Sequence, residues 1–113
     1  GQDLRTISYS KLLLKPALGA LIREKAVGAA YLVRKQIEEA PERVFCLLVV
    51  ERSKSRPQPD ARTWWMELQR AIDLPSDFMV IDAAHPAWTG KDAQRLLRQM
   101  TEIPDACIYR ARG

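Results

Sequence analysis

The sequence predicts one compact α+β or α/β domain, with a mixed sheet of about four strands and about three helices. The length of 113 residues lies near the commonest domain size, and 47% hydrophobic residues suffice for one core. Apolar residues alternate with a period of two in some segments and recur at helical spacing in others. A hairpin followed by strands that are linked through helices gives the order α-β-β-α-β-α-β, which requires a mixed sheet.

The first helix is predicted to begin at Pro16, since proline suits the first helical turn, and to end in the charged residues 23–25. Residues 1–15 form either an N-terminal extension or the beginning of this helix. Proline disfavours the α conformation at the residue before it, so the sequence leaves open whether the leucines at 12–14 are helical. We therefore place the single domain at residues 16–113.

Two strands are predicted to form an antiparallel hairpin. In residues 27–37 the apolar side chains alternate with a period of two, which is typical of a strand. Residues 38–43 are polar and contain a proline, which indicates a turn. Residues 44–50 are a continuous apolar run rich in β-branched residues, and such a run predicts a central strand that is covered on both faces.

Residues 52–62 contain two prolines and no large apolar side chain, which predicts a surface loop. Asp60 is a candidate N-cap for a second helix that extends to Ile72 and stops before Pro75. The residues expected to face the core share one stripe of this helix: Trp65, Leu68 and Ile72. Trp64 is expected beside this stripe, at its edge.

The last third of the chain predicts a strand, a helix and a strand. Residues 78–82 are a short apolar strand, and residues 85–88 form a loop. Thr89 and Asp92 resemble a capping box at the start of a third helix. The buried stripe of that helix is predicted at Ala93, Leu96, Leu97 and Met100. Residues 106–110 are the final strand.

The composition narrows the class of protein. The longest apolar runs fall well short of the roughly 20 residues that cross a bilayer, and no secretory signal opens the chain, so we expect a cytoplasmic protein without membrane contact. Because the sequence begins at Gly1 rather than at Met, we expect it to be a piece of a longer protein.

Two cysteines and one histidine are too few for a disulfide framework or for most zinc sites. Cys46 and Cys107 both lie in apolar segments, which favours two reduced thiols in neighbouring strands. A disulfide requires those strands to be adjacent and in register. We predict no metal and no cofactor.

Four segments resemble the C-terminal domain of the SseB (enhanced serine sensitivity) family. They are VGAAYLVR at 27–34, FCLLVVE at 45–51, FMVID at 78–82 and CIYRARG at 107–113. The resemblance covers about residues 16–112. It implies a small α/β accessory domain that is normally joined to a second domain, and it carries over no catalytic residue.

Most of the net charge of +4 lies in residues 52–62. Arg52, Lys54, Arg56 and Arg62 stand there against Asp60 alone, so this loop has a net charge of +3. Such a loop is suited to an acidic protein surface, a phosphate group or a nucleic acid.

Aromatic residues accompany the basic loop. Trp64 follows it directly and Trp88 lies in the later loop, and tryptophan and arginine are the residues that most often anchor interfaces. We predict that the chain is a non-catalytic accessory domain whose contact surface for a protein partner combines these tryptophans with the basic loop. Two copies could also pair through uncovered edge strands.

Two other functions compete with this one. The first is nucleic-acid or phosphate binding by the same basic loop. The second is a small hydrolase centred on Asp82 and His85, with Glu51 as a further carboxylate, because strand ends often hold catalytic groups. The sequence has no glycine-rich phosphate loop, and it shows no nucleophile with a positioned base.

Overall fold

A mixed sheet forms the centre of the domain in the computed structural model, which describes residues 4–7, 9–54 and 58–112. Within these residues the sheet has five strands, three α-helices cover its faces, and the element order is β-α-β-β-α-β-α-β. The predicted fold class is confirmed, and one strand is added before the first helix.

The elements follow one another along the chain in this order. They are β1 (Leu4–Thr6), α1 (Lys11–Arg23), β2 (Val27–Lys35), β3 (Phe45–Arg52), α2 (Trp64–Ala71), β4 (Asp77–Asp82), a single 3₁₀ turn (Pro86–Trp88), α3 (Lys91–Thr101) and β5 (Cys107–Arg110).

The sheet combines antiparallel and parallel pairing. Strands β2 and β3 form the predicted antiparallel hairpin, and β3 pairs with β4 in parallel through the α2 crossover. Both β1 and β5 lie along the far side of β2, with β1 opposite Val33–Lys35 and β5 opposite Ala29–Tyr31. One edge of the sheet is therefore β4, and the other is shared by two short strands.

Two apolar cores lie on opposite faces of the sheet. Helices α1 and α2 cover one face, onto which β3 directs Cys46, Leu48 and Val50. Helix α3 covers the other face, onto which β3 directs Leu47 and Val49. All five side chains are buried, so the continuous apolar run of β3 is explained by burial on both faces, as predicted.

Helix α1 includes residues 11–15, which is one of the two alternatives that the sequence left open, and it therefore begins before Pro16. Helix α1 begins at Lys11, because the Ser10 hydroxyl accepts a hydrogen bond from the Leu13 N–H at 3.3 Å and caps the helix. Leu14 is buried in the core, and this packing outweighs the local preference that Pro16 imposes.

Helix α2 begins later than predicted. Asp60 does not cap it; the Asp60 carboxylate instead accepts the N–H groups of Arg62 and Thr63, at 2.7 and 3.0 Å, and so caps the turn before the helix. Helix α3 follows Gly90 without a side-chain cap, and the Thr89 hydroxyl donates to the Pro86 carbonyl instead. The capping box expected there is wrong.

Both cysteines are free thiols. Cys46 is buried in β3 and Cys107 is exposed in β5, and β2 separates those strands. The sequence predicted that the two cysteines lie in neighbouring strands, and this prediction is wrong.

Candidate functional site

A buried ion pair joins the carboxyl ends of the parallel strands β3 and β4. The Arg52 guanidinium donates to both oxygens of the Asp82 carboxylate, from Nη2 at 2.8 Å and from Nε at 3.3 Å. The Asp82 side chain is fully buried and that of Arg52 is 12% exposed. The Ala84 N–H also donates to Asp82, at 3.0 Å, so both carboxylate oxygens are engaged.

The same guanidinium fixes the described end of the basic loop. It donates to the carbonyls of Pro59 and Asp60, at 2.8 and 3.1 Å, and it lies 5.0 Å from the centre of the Trp64 ring in a cation–π contact. Arg52 therefore holds the loop against the sheet. It is an internal structural cation, and we leave it out of any contact surface.

Close backbone approach at Gly28 helps to position this end of β3. A Cβ at Gly28 would lie 3.0 Å from both the Arg52 carbonyl oxygen and the Ser53 nitrogen. Such contacts are tighter than most real Cβ contacts, so a larger residue at this position would push β2 and β3 apart by a few tenths of an ångström.

The two tryptophans of α2 have exchanged their expected places. Trp64 is 1% exposed and lies in the core, whereas Trp65 is half-buried at the edge of the helix layer. The spacing of four residues from Trp64 to Leu68 and Ile72 aligns these three side chains on the inner face. The expectation that Trp65 faces the core and Trp64 lies at the edge is therefore wrong.

The remaining predicted contact residues are distributed over the surface. Lys54 and Arg62 are exposed, and Trp88 is half-buried in the 3₁₀ turn. Arg56 lies outside the residues that the structure describes.

A shallow apolar groove follows the β4 edge. Trp65 of α2 packs against one core and Trp88 of the 3₁₀ turn against the other, and both line the groove together with Met79, which is 40% exposed. The rest of the lining is Val80, Ile81, Asp82, His85 and Ala87. The volume of about 190 Å³ is below the roughly 300 Å³ at which small-molecule sites begin, and it suits one large side chain. Asp82 lines the groove and also holds Arg52, so the groove adjoins the anchored end of the loop.

Gln69 of α2 covers part of the outer backbone of β4. Its amide donates to the Phe78 carbonyl at 3.0 Å, and its side-chain oxygen accepts the Val80 N–H at 2.7 Å. These are the groups that a further strand would use, so strand pairing is obstructed along this edge. Pairing between copies remains a prediction for the other edge, formed by β1 and β5.

The three residues of the hydrolase hypothesis are engaged in separate contacts. Asp82 is held by Arg52, and the His85 ring nitrogen Nδ1 accepts the Ala87 N–H at 3.0 Å. Glu51 accepts the Tyr31 hydroxyl at 2.9 Å, and Arg110 donates to that same hydroxyl oxygen at 2.9 Å. Burial, followed by the hydrogen bond to Glu51, raises the pKa of Tyr31 above its ordinary value of 10.0.

Residues 4–7, 9–54 and 58–112 contain no group of three or more His, Cys, Asp or Glu side chains placed to hold a metal ion. No helix within the same ranges has the length and apolar character needed to cross a membrane.

The groove is the feature that sequence reasoning missed. The four-residue spacing that places Trp64 inward could have identified Trp65 as the outer tryptophan. Alternation along β4 could have placed Met79 on the same face as Ile81.

Comparison of the chain with protein-family models, curated proteins and solved structures finds no match.

Proposed function

We propose that this chain is a non-catalytic accessory domain that binds another protein through the β4 groove. The observation that carries the proposal is the half-open apolar groove that is lined by Trp65, Met79 and Trp88. Tryptophan is enriched among the residues that contribute most to binding at the centres of protein interfaces. The partner supplies one large apolar side chain to the groove.

The contacts of β4 favour docking through side chains. Gln69 occupies outer backbone groups of the strand, so the partner does not extend the sheet there. The exposed Arg62 lies three residues before Trp65 and provides a positive charge near this end of α2.

The resemblance to the SseB C-terminal domain belongs to this proposal. Its support is the set of four short motifs, which lie on β2, β3, β4 and β5. The same resemblance is the basis for proposing an accessory role beside a second domain, in the cytoplasm.

The proposal is tested by comparing two matched variants in affinity capture from the source cells. Met79→Glu places a charge in the groove. Met66→Glu is the matched control, because Met66 on α2 is similarly exposed, at 45%, but does not line the groove. We expect wild type and Met66→Glu to retain the same protein at high salt, and Met79→Glu to lose it. Retention of that protein by all three chains would overturn the assignment of the groove.

Phosphate binding by the basic loop is the second candidate, supported by the exposure of Lys54 and Arg62. Because Arg52 is held by Asp82, at most three of the four loop cations can contact phosphate. The logarithm of a nucleic-acid affinity should then fall with the logarithm of salt concentration with a slope no steeper than about −2.7. A gel-shift titration of wild type against Lys54→Ala/Arg62→Ala measures this slope, and equal binding by the two would exclude the loop.

A further inference from the structure

The outer face of α1 carries the two most exposed large apolar side chains of the described residues. Leu12 is 78% exposed and Ile22 is 64% exposed. Lys15 and Gly19 lie between them, so the four positions are spaced by three, four and three residues. This is the spacing by which a second helix packs along a helix. We call Leu12, Lys15, Gly19 and Ile22 the outer seam.

The inner side of α1 shows the same spacing in use. Leu14, Ala17 and Leu21 follow one another by three and four residues, and all three are buried against the sheet. The helix therefore has one apolar seam that is covered within the described domain, and an outer seam whose two apolar residues, Leu12 and Ile22, are exposed.

The surroundings of the outer seam are positively charged. Lys15 and Arg23 are exposed, and the first turn of α1 contains no acidic residue. The Glu24 carboxylate, at the end of the helix, accepts the Ala26 N–H at 3.1 Å and is folded back on its own backbone. Arg23 also borders the groove between α1 and α2, whose lining includes Glu24 and Glu67, whereas Lys15 is not part of that lining.

We propose that the outer seam of α1 is a docking surface for an acidic amphipathic helix of a protein partner. Its apolar residues would pack along Leu12 and Ile22, and its carboxylates would lie beside Lys15 and Arg23. Gly19 has no side chain, and the Arg23 guanidinium reaches over it, since a Cβ placed there would lie 3.4 Å from Arg23 Nη1; this cation therefore lies on the seam, where a carboxylate of the partner helix can meet it.

Two other occupants fit this surface less well. A second copy of the chain would bring the same cations, Lys15 and Arg23, against each other, which opposes a symmetric pairing of the seams. A lipid surface is bound by a broad apolar helix face, whereas Lys15 and Gly19 interrupt the apolar residues of this one. The charge and the spacing together select an acidic helix.

The test uses the intact domain and two synthetic helical peptides with the same leucine seam. One peptide carries glutamate beside the seam and the other carries lysine. We expect the glutamate peptide to bind roughly tenfold more tightly than the lysine peptide in a calorimetric titration at low salt, and to weaken as salt is raised. Lys15→Glu/Arg23→Glu should reverse the preference, an outcome that a merely structural role of these residues cannot produce.

Two further variants locate the binding. Leu12→Gln/Ile22→Gln should weaken the glutamate peptide by roughly tenfold, whereas Met66→Gln on α2 should leave it unchanged. Urea unfolding of each variant checks that the domain remains folded. Met79→Glu should also leave peptide binding unchanged, so the seam and the β4 groove are tested separately.

Four outcomes would overturn the proposal. They are no binding of either peptide, equal binding of both, no effect of Leu12→Gln/Ile22→Gln, and binding of phosphatidylserine vesicles in place of the glutamate peptide. The last result would assign the seam to a membrane surface instead.

Discussion

Two arginine–aspartate pairs hold opposite ends of the same two strands, and their surroundings differ sharply. At the beginning of β3 and β4, Arg43 and Asp77 meet at 3.1 Å with side chains that are 63% and 61% exposed. At the carboxyl ends, Arg52 and Asp82 meet at 2.8 Å with side chains that are 12% and 0% exposed. The residue types and distances are similar, so the main difference is access to water.

Burial decides what each pair does for the domain. An exposed pair is screened by water and contributes about 0–1 kcal/mol. A buried pair pays for the removal of two charges from water, but breaking it by removing one partner costs about 3–5 kcal/mol, because the other charge stays buried. Arg52 also donates to two loop carbonyls and contacts Trp64, so the inner pair connects the sheet, the loop and α2.

The largest effect is expected from removal of the buried carboxylate. Asp82→Ala leaves the Arg52 guanidinium without its anion and should lower the free energy of unfolding by about 3–5 kcal/mol. Urea denaturation followed by tryptophan fluorescence measures this loss, and the emission also reports on Trp64. A loss below about 1 kcal/mol would show that the inner pair behaves like an exposed one.

The next effect concerns the edge of β4 between the two pairs. Gln69→Leu removes both hydrogen bonds to the strand backbone and should cost about 1–3 kcal/mol, because a donor and an acceptor lose their partners. The freed edge should also promote association, visible in size-exclusion chromatography. Gln99→Leu, at an exposed position of α3, is the matched control and should change neither quantity appreciably.

Removal of the exposed carboxylate should have a smaller effect. Asp77→Ala is expected to lower the free energy of unfolding by about 0–1 kcal/mol, and less at high salt, where the charges are screened. The same urea titration as for Asp82→Ala gives a direct comparison. Equal losses for the two variants would contradict the role assigned to burial.

The smallest effect is a pH dependence at the anchored loop. Hydrogen bonds from the backbone N–H groups of Arg62 and Thr63 lower the pKa of Asp60 below its ordinary value of 3.8. Asp60 should therefore stabilise the fold above pH 3.8, and this contribution should be lost as the pH falls through the lower, folded pKa. An NMR titration of the carboxyl carbon tests the direction, and a folded pKa at or above 3.8 would refute it.

Several elements were predictable because their signal is local. The period-two pattern identified β2, the uniform apolar run identified β3, and the helical spacing identified α3. The sequence did not predict strand β1, which has only three residues, Leu4–Thr6. This strand is held by pairing with Val33–Lys35 of β2, which lie far away in the sequence. Because pairing with a distant segment stabilises this strand, the pattern of its own three residues does not predict it.

The candidate site was predictable only in part. The basic loop and Trp88 were identified from composition, but Arg52 could not be separated from the other cations, since its partner Asp82 is thirty residues away. Trp65 and Met79 form a groove only after α2 and β4 pack together, and neither carries a distinctive motif. The net charge of the loop counts every arginine equally, although these arginines differ in their exposure to water.

The sequence by itself determined the class of fold, the hairpin and a continuous run buried on both faces, because periodicity and propensity act over a few neighbouring residues. Only the tertiary structure decided which tryptophan is buried, which arginine is an internal cation and which strand edge stays open. These depend on the side chains and water that surround each group after folding. The pairing of β3 with β4 brings Asp82 to Arg52, and the resulting exclusion of water makes this one arginine a structural element.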